Sequence, residues 1–186
     1  MFVTDFADEY ARWRALGEKA LAQVPDGSLN TAPAQDSNSI AIIARHVGGN
    51  LTSRFTDFLT SDGEKPWRDR DGEFAEGPFT REEVETAWNR GFDAVAGALA
   101  TLRDEDLART VAVRGVELTV HQALCRSIAH TTNHVGQIIL LAKMFAGSDW
   151  HTLTIPKGKS TEYNQNPVGE RAGDHARLIQ QQPTNR

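Results

Sequence analysis

The chain has 186 residues, with 20 Lys and Arg against 25 Asp and Glu, and a formal net charge of −5. This length predicts a single domain, and the acidic balance argues against nucleic-acid binding, which needs a basic surface. The single cysteine, Cys125, excludes an internal disulfide and any cysteine-rich zinc or iron–sulfur site.

Targeting and membrane signals are not found in the sequence. The first residues lack the basic start and apolar run of a signal peptide. Every stretch of about 18 residues contains a charge, so we expect no membrane-spanning helix and no membrane partner. The cytoplasm is the expected compartment, because a lone cysteine suits a reducing environment.

The first half of the chain predicts two long helices. Residues 2–24 repeat apolar side chains at steps of three, four and seven, and Pro25-Asp26-Gly27 ends this first helix. A second apolar stripe predicts a helix over residues 39–60, which Ser61-Asp62-Gly63 stops. The following residues, up to 78, form a polar stretch rich in glycine, aspartate and arginine, without helical periodicity.

Two further helices are predicted in the second half, each from a capping-box sequence at its start. The third helix begins at Thr80 and the fourth at Thr119. Between them, apolar residues alternate with period two over residues 109–118, around Arg114-Gly115, which predicts a short hairpin or at least an extended excursion. Gly147 marks the end of the fourth helix.

These elements together predict an all-α fold. We expect an antiparallel four-helix bundle with a short hairpin-like excursion before the last helix and an irregular C-terminal extension. The bundle domain is expected over residues 1–165. Residues 166–186 are polar and glutamine-rich, and predict a poorly ordered tail.

The fourth predicted helix carries His130 and His134 on its apolar face. Four residues apart, the two side chains lie about 40° apart around the helix axis and within about 5–6 Å. Burial disfavours charged imidazole, so we expect two neutral rings that can bind one divalent ion. Thr131 stands where a zinc protease has its catalytic glutamate, which argues against that class. Two core histidines bonded to the backbone, to water or to each other remain the alternative.

The other histidines lie on different elements. His46 is on a partly polar edge of the second predicted helix, a position that suits a cleft between helices and a third metal ligand. Taken alone, His46 is more typical of a surface or boundary residue. We expect His121, His151 and His175 to be exposed to solvent, with His151 as the one candidate for a fourth ligand.

Two segments contain these three histidines in a recognisable order. Residues 44–50 surround His46, and residues 129–138 contain His130 and His134. In these segments, and in residues 54–68 and 155–160, the sequence resembles a poorly characterised branch of the DinB-like (damage-inducible) superfamily of four-helix bundles. The resemblance covers the chain from residue 1 to about residue 165.

The resemblance implies a divalent ion, Zn²⁺ or Ni²⁺, held by His46, His130 and His134 with further positions open to water. Better-known relatives transfer low-molecular-weight thiols such as bacillithiol, or isomerise maleylpyruvate with mycothiol. A low-molecular-weight thiol as a second cofactor, a small-molecule substrate and a homodimer are therefore further implications of the resemblance.

Together with this resemblance, the sequence favours a metal-dependent small-molecule enzyme of DinB-like type, and the resemblance implies a thiol-dependent transferase, isomerase or hydrolase that activates water or a thiol. No catalytic base is identified, and the motifs of P-loop, dinucleotide-binding and nucleophile-elbow enzymes are missing. Candidate substrate contacts, mostly cations that can hold an anionic group, are Arg45, Asn50, Arg54, Trp67, Lys157 and Lys159. Two alternatives stay open: a non-catalytic metal- or ligand-binding stress-response protein, and three structural histidines without an ion.

Overall fold

The computed structural model describes residues 1–182 and is mostly helical, with one small antiparallel sheet. In chain order the elements are α1 (Phe2–Leu21), α2 (Ile40–Phe55), α3 (Arg70–Glu73), α4 (Arg81–Thr101), β1 (Thr110–Val113), β2 (Val116–Thr119), α5 (Val120–Ala146), α6 (Ser160–Gln165) and α7 (Ala172–Gln181). Short 3₁₀ turns lie at Asp26–Ser28, Asp104–Ala108 and Gly147–Asp149. The expectation of an all-α fold is confirmed in this outline.

Local signals place three of the helix ends. Thr80 and Thr119 each accept a hydrogen bond from the third backbone amide of the helix they begin, and both capping boxes are complete. Gly147 follows α5 with a positive φ of 56°, a conformation that glycine adopts with little strain. In residues 1–182, no helix combines the length and the apolar character that crossing a bilayer requires.

Helix α2 ends five residues before the expected position. Thr56 is extended and Asp57 adopts a positive φ of 48°, so the chain turns there instead of continuing as a helix. The predicted helix end was wrong because the apolar stripe continues to Phe58, beyond the end of the helix. Phe58 packs against Phe55 from a non-helical position, with ring centroids 5.0 Å apart. The short helix α3 lies inside the stretch that was expected to be irregular.

The four long helices enclose a common apolar core. Helix α2 packs against α4 and α5, while α1 packs against α5, α4 and α7. Fully buried side chains at the centre of this core include Leu51, Trp88 and Leu124. Helices α2 and α4 are in close contact at Gly48 and Gly91, where a Cβ on Gly91 would stand 2.7 Å from the Gly48 Cα.

The predicted hairpin is present as β1 and β2. Its turn is formed by Arg114 and Gly115, both with positive φ, as a two-residue hairpin turn of type I′ requires. The Asp62 carboxylate accepts hydrogen bonds from the Arg114 amide at 2.8 Å and the Gly115 amide at 2.7 Å. The backbone amides of Glu64 and Gly115 lower the pKa of Asp62. This contact fixes the hairpin against the segment that follows α2.

The C-terminal segment differs from the expectation of a poorly ordered tail over residues 166–186. Residues 172–181 form α7, which packs against α1 and buries Ala176 and Ile179. The few apolar residues of this segment stand among charged and amide side chains, which conceals the helical spacing in the sequence. Residues 183–186 of the expected tail lie outside the described residues, and the domain limit at residue 165 stays a prediction.

Candidate metal centre

Three imidazoles from two helices meet at one point of the core's edge. His46 comes from α2, and His130 and His134 from α5; one ring nitrogen of each lies within 4.8 Å of the others. The Nε2 atoms of His46 and His130 are 3.2 Å apart. Two nitrogens bound at about 2.0–2.1 Å to one tetrahedral ion are separated by about 3.3 Å, so this spacing fits a shared ion.

The degree of burial of the three histidines differs from the sequence-based expectation. His46 is 4% exposed, so its assignment to the surface or boundary is wrong. The Phe74 ring covers it, with the two ring centroids 4.5 Å apart. His130 and His134 are only partly buried, and the fully buried residue between them is Thr131. The pair therefore lies at the edge of the core rather than in its middle, and His130 lines a cavity.

A carboxylate fixes the orientation of His46. The His46 Nδ1–H group donates to Glu73 Oε2 at 2.9 Å, which leaves Nε2 free to face the other two histidines. Arg68 donates to both oxygens of Glu73, at 2.8 Å from Nε and 2.9 Å from Nη2. Burial opposes ionisation of Glu73, but these hydrogen bonds from His46 and Arg68 prevail and lower its pKa.

Glu73 is the supporting residue that the sequence did not reveal. It ends α3, inside a polar stretch without periodicity, and its partner His46 is 27 residues away along the chain. The only local signal is the alternation of charges from Arg68 to Glu73, and this pattern is equally typical of a solvated loop.

The two histidines of α5 are held in their neutral forms. Burial, followed by the neighbouring His134 and His46, lowers the pKa of His130 to about 4. Burial also lowers the pKa of His134, although the hydrogen bond to Gln137 opposes this shift. The His134 Nδ1–H group donates to Gln137 Oε1 at 3.1 Å, so its Nε2 is available. Neutral imidazole is the form that binds metal ions.

Replacing Glu73 by glutamine is expected to lower the affinity for a divalent ion by about 10- to 100-fold, because such a carboxylate orients its histidine and raises its basicity. Zinc affinity, measured by competition with a chromogenic chelator, tests this. The matched control is Glu76→Gln, since Glu76 is exposed and close in sequence. Equal zinc affinities for the two variants would contradict a supporting role for Glu73.

A cavity of about 310 Å³ adjoins His46 and His130. Of the six predicted substrate contacts, Asn50 and Arg54 line it. The other four lie outside its wall. Arg45 stacks on the Phe79 ring, with its guanidinium carbon 3.7 Å from the ring centre.

The three remaining candidates are on the surface. Trp67 is 58% exposed, Lys157 is exposed, and Lys159 pairs with Glu162 at 2.8 Å. The structure therefore brings two of the six substrate candidates together with the histidines. A role for the others in substrate binding stays a prediction.

The histidines outside the cluster follow the expectation in part. His121 and His151 are exposed, whereas His175 is half-buried on α7. The expectation of exposure is wrong for His175, because α7 docks on α1. His151 is not among the histidines whose ring nitrogens converge, so the structure brings no fourth histidine to the cluster within residues 1–182.

Comparison with known protein families finds a match that spans most of the chain. The model of a family described as "Protein of unknown function (DUF1572)" matches residues 1–159, a range that contains all three clustered histidines, Glu73 and the cavity. A search of curated proteins gave no match.

Proposed function

The chain belongs to the DUF1572 family, described as proteins of unknown function, and we propose that it is a metal-dependent enzyme acting on a small molecule. One observation carries this proposal: three histidines have ring nitrogens within 4.8 Å of one another, and two of them, His46 and His130, line a cavity of about 310 Å³. A cavity of this size holds a small ligand. The convergence of three imidazoles next to it is typical of a metal centre with open coordination positions.

The donor set fits a divalent transition metal. His46, His130 and His134 would hold the ion, and Zn²⁺ or Ni²⁺ is proposed because both accept imidazole nitrogen. On three neutral ligands such an ion keeps its full charge and lowers the pKa of a water or thiol that it binds. Glu73 keeps the His46 Nε2 directed at the centre, and Gln137 does the same for His134.

The finer assignment follows from the resemblance to the DinB-like superfamily. We propose a four-helix bundle of that type, acting as a thiol-dependent transferase, isomerase or hydrolase with a low-molecular-weight thiol as second cofactor. Its supports are the pairwise packing of α1, α2, α4 and α5 and the two histidines one turn apart on α5. A homodimer and a cytoplasmic location belong to the same proposal.

A non-catalytic metal- or ligand-binding protein is the second candidate, and one observation favours it. Within the described residues, no aspartate or glutamate lines the cavity, so no carboxylate is placed there as a general base. Glu73 is bound to His46 and Arg68 instead. If the three imidazoles bind an ion, none of them is available as a general base. Proton transfer would then depend on the substrate, the thiol or solvent.

Two measurements test the enzyme proposal. Protein purified without a metal-affinity tag is expected to contain about one equivalent of Zn or Ni per chain by elemental analysis. The metal-loaded protein, given a panel of cellular thiols and electrophiles, is expected to form conjugates or isomers, and chelator-stripped protein is not. Metal without turnover would favour the binding protein. If the protein shows neither metal uptake nor turnover, the histidines are structural residues.

A further inference from the structure

The wall of the cavity beside the histidines is rich in arginine. Arg54 at the end of α2, Arg70 on α3, Arg114 in the hairpin turn and Arg126 on α5 all line it. Four separate elements thus each contribute one arginine to the cavity lining. This concentration of positive charge contrasts with the formal net charge of −5 of the chain. No acidic side chain lines the cavity within residues 1–182.

The acidic residues nearby are too few to neutralise these arginines. A single oxygen, Glu64 Oε2, is shared by Arg54 at 3.1 Å, Arg114 at 3.1 Å and Arg68 at 3.3 Å. Arg70 approaches the exposed Asp71 only at 3.9 Å.

Arg126 has no ion-pair or hydrogen-bond partner in the described part of the chain. It projects from the same helix as His130, one turn earlier, and lines the same cavity. Because its guanidinium is not occupied by an acidic residue, all of its donors are available to a ligand.

Arg54 shows the excess of positive charge most clearly. Its side chain is 12% exposed, and its Nη1 atom is buried without a hydrogen-bond partner. Burial, together with the charges of Arg68 and Arg114, lowers the pKa of Arg54 although Glu64 opposes this. Buried donors without acceptors are costly, and an anion in the cavity would supply the missing acceptor.

Part of the cavity lining is apolar. Phe55 and Phe58, Ala112 and Val113 of the hairpin, and Ala123 contribute to its lining. The volume of about 310 Å³ corresponds to about ten water molecules at the liquid density of roughly 30 Å³ each. A cavity of this size has room for a ligand that consists of one ring or a short chain with a polar group at one end.

We propose that this cavity binds a small organic anion, whose carboxylate or phosphate group is held by Arg126, Arg54, Arg70 and Arg114 while its apolar body lies against Phe55 and Phe58. Guanidinium groups match the geometry of both anionic groups. The inference rests on the proposed function, because it names the substrate class of the same site. The reacting end of the ligand would then face His46 and His130.

Calorimetric titration with benzoate, phenyl phosphate and benzyl alcohol tests the inference. These probes share a ring that fits the apolar wall, and only the first two carry an anionic group. We expect at least one anion to bind ten-fold or more tightly than the neutral alcohol, and the tighter anion identifies the group. Similar affinities for all three probes, or no binding of either anion, would overturn the inference.

Substitution of the unpaired arginine gives the decisive comparison. Arg126→Gln is expected to weaken binding of the anion by about 10- to 100-fold, which is the effect of losing a charge-assisted hydrogen bond. The matched control is Arg90→Gln, an exposed arginine of α4 outside the cavity, which should leave the affinity unchanged. Equal affinities in the two variants would overturn the assignment to Arg126.

Titrating both zinc-loaded and chelator-stripped protein separates this inference from the proposed function. Arginine-dependent binding in the stripped protein, combined with failure to take up zinc, would refute the metal enzyme while supporting the anion site. Uptake of zinc without arginine-dependent binding in either form would refute the anion site alone. Melting curves of Arg126→Gln verify the fold, and no loss of stability is expected because Arg126 has no partner within the described residues.

Discussion

The variant His130→Ala is expected to lose specific zinc binding and to retain only non-specific binding of zinc to the protein surface. His130 is close to both other histidines of the cluster: its Nε2 is 3.2 Å from the His46 Nε2, and its ring centroid is 4.6 Å from that of His134. Without it, only one nitrogen from each helix remains. Two ligands do not complete the three-histidine arrangement of an open metal site.

The stability of metal-free His130→Ala should change little. The ring is only partly buried, and truncation removes its 3.2 Å contact with the His46 Nε2 together with a buried Nδ1 atom that has no hydrogen-bond partner, so the two effects offset each other. We expect a change within about 1 kcal/mol in the free energy of unfolding of the chelator-treated protein, measured by urea titration. Loss of zinc binding with an intact fold distinguishes a ligand from a structural residue.

The control for this experiment lies on the same helix. His121→Ala removes an exposed imidazole near the start of α5 and should leave zinc affinity unchanged. If His130→Ala binds zinc as tightly as His121→Ala does, the three clustered histidines are not the metal ligands. The outcome is read from zinc titrations of both variants under the same conditions.

A second large effect is expected from Gly91→Ala, where α2 and α4 touch. The new methyl group would lie 2.7 Å from both the Cα and the carbonyl oxygen of Gly48, and these are backbone atoms that cannot rotate away. The helices must separate, so we expect a loss of about 1–3 kcal/mol or more in the free energy of unfolding. Since Gly48 is two residues from His46, zinc affinity should fall as well.

Gly97→Ala is the matched control for this change. Gly97 lies on the same helix, α4, but a Cβ there meets no atom within 4 Å. Alanine is the better helix former by about 0.8–1.0 kcal/mol, so this variant should be as stable as the wild type or more stable. If urea unfolding shows that both alanine variants are equally stable, close contact of the two helices is not required for the fold.

The sequence predicted the features that depend on neighbouring residues. The capping boxes at Thr80 and Thr119 and the hairpin turn at Arg114-Gly115 are local, because their bonds join residues close together in the chain. The pairing of His130 with His134 follows from helical spacing for the same reason. These predictions needed no knowledge of how the helices pack.

The parts that the sequence did not predict depend on contacts between distant residues. Nothing near Glu73 indicates that it meets His46, and Arg126 resembles any other helical surface arginine until the hairpin and α3 close the cavity around it. The docking of α7 on α1 and the early end of α2 are likewise decided by packing. The inclusion of His46 in the cluster was expected mainly from family resemblance.

If the clustered histidines hold the proposed ion, their wide sequence separation would link metal supply to the persistence of the folded chain. His46 and His130 are 84 residues apart, so an ion between them would act as a reversible cross-link that the folded chain favours over the unfolded chain. A ligand present at 100 times its dissociation constant adds about 2.7 kcal/mol to the free energy of unfolding. Starvation for the metal would therefore raise the unfolded fraction by about two orders of magnitude, and expose the chain to proteolysis.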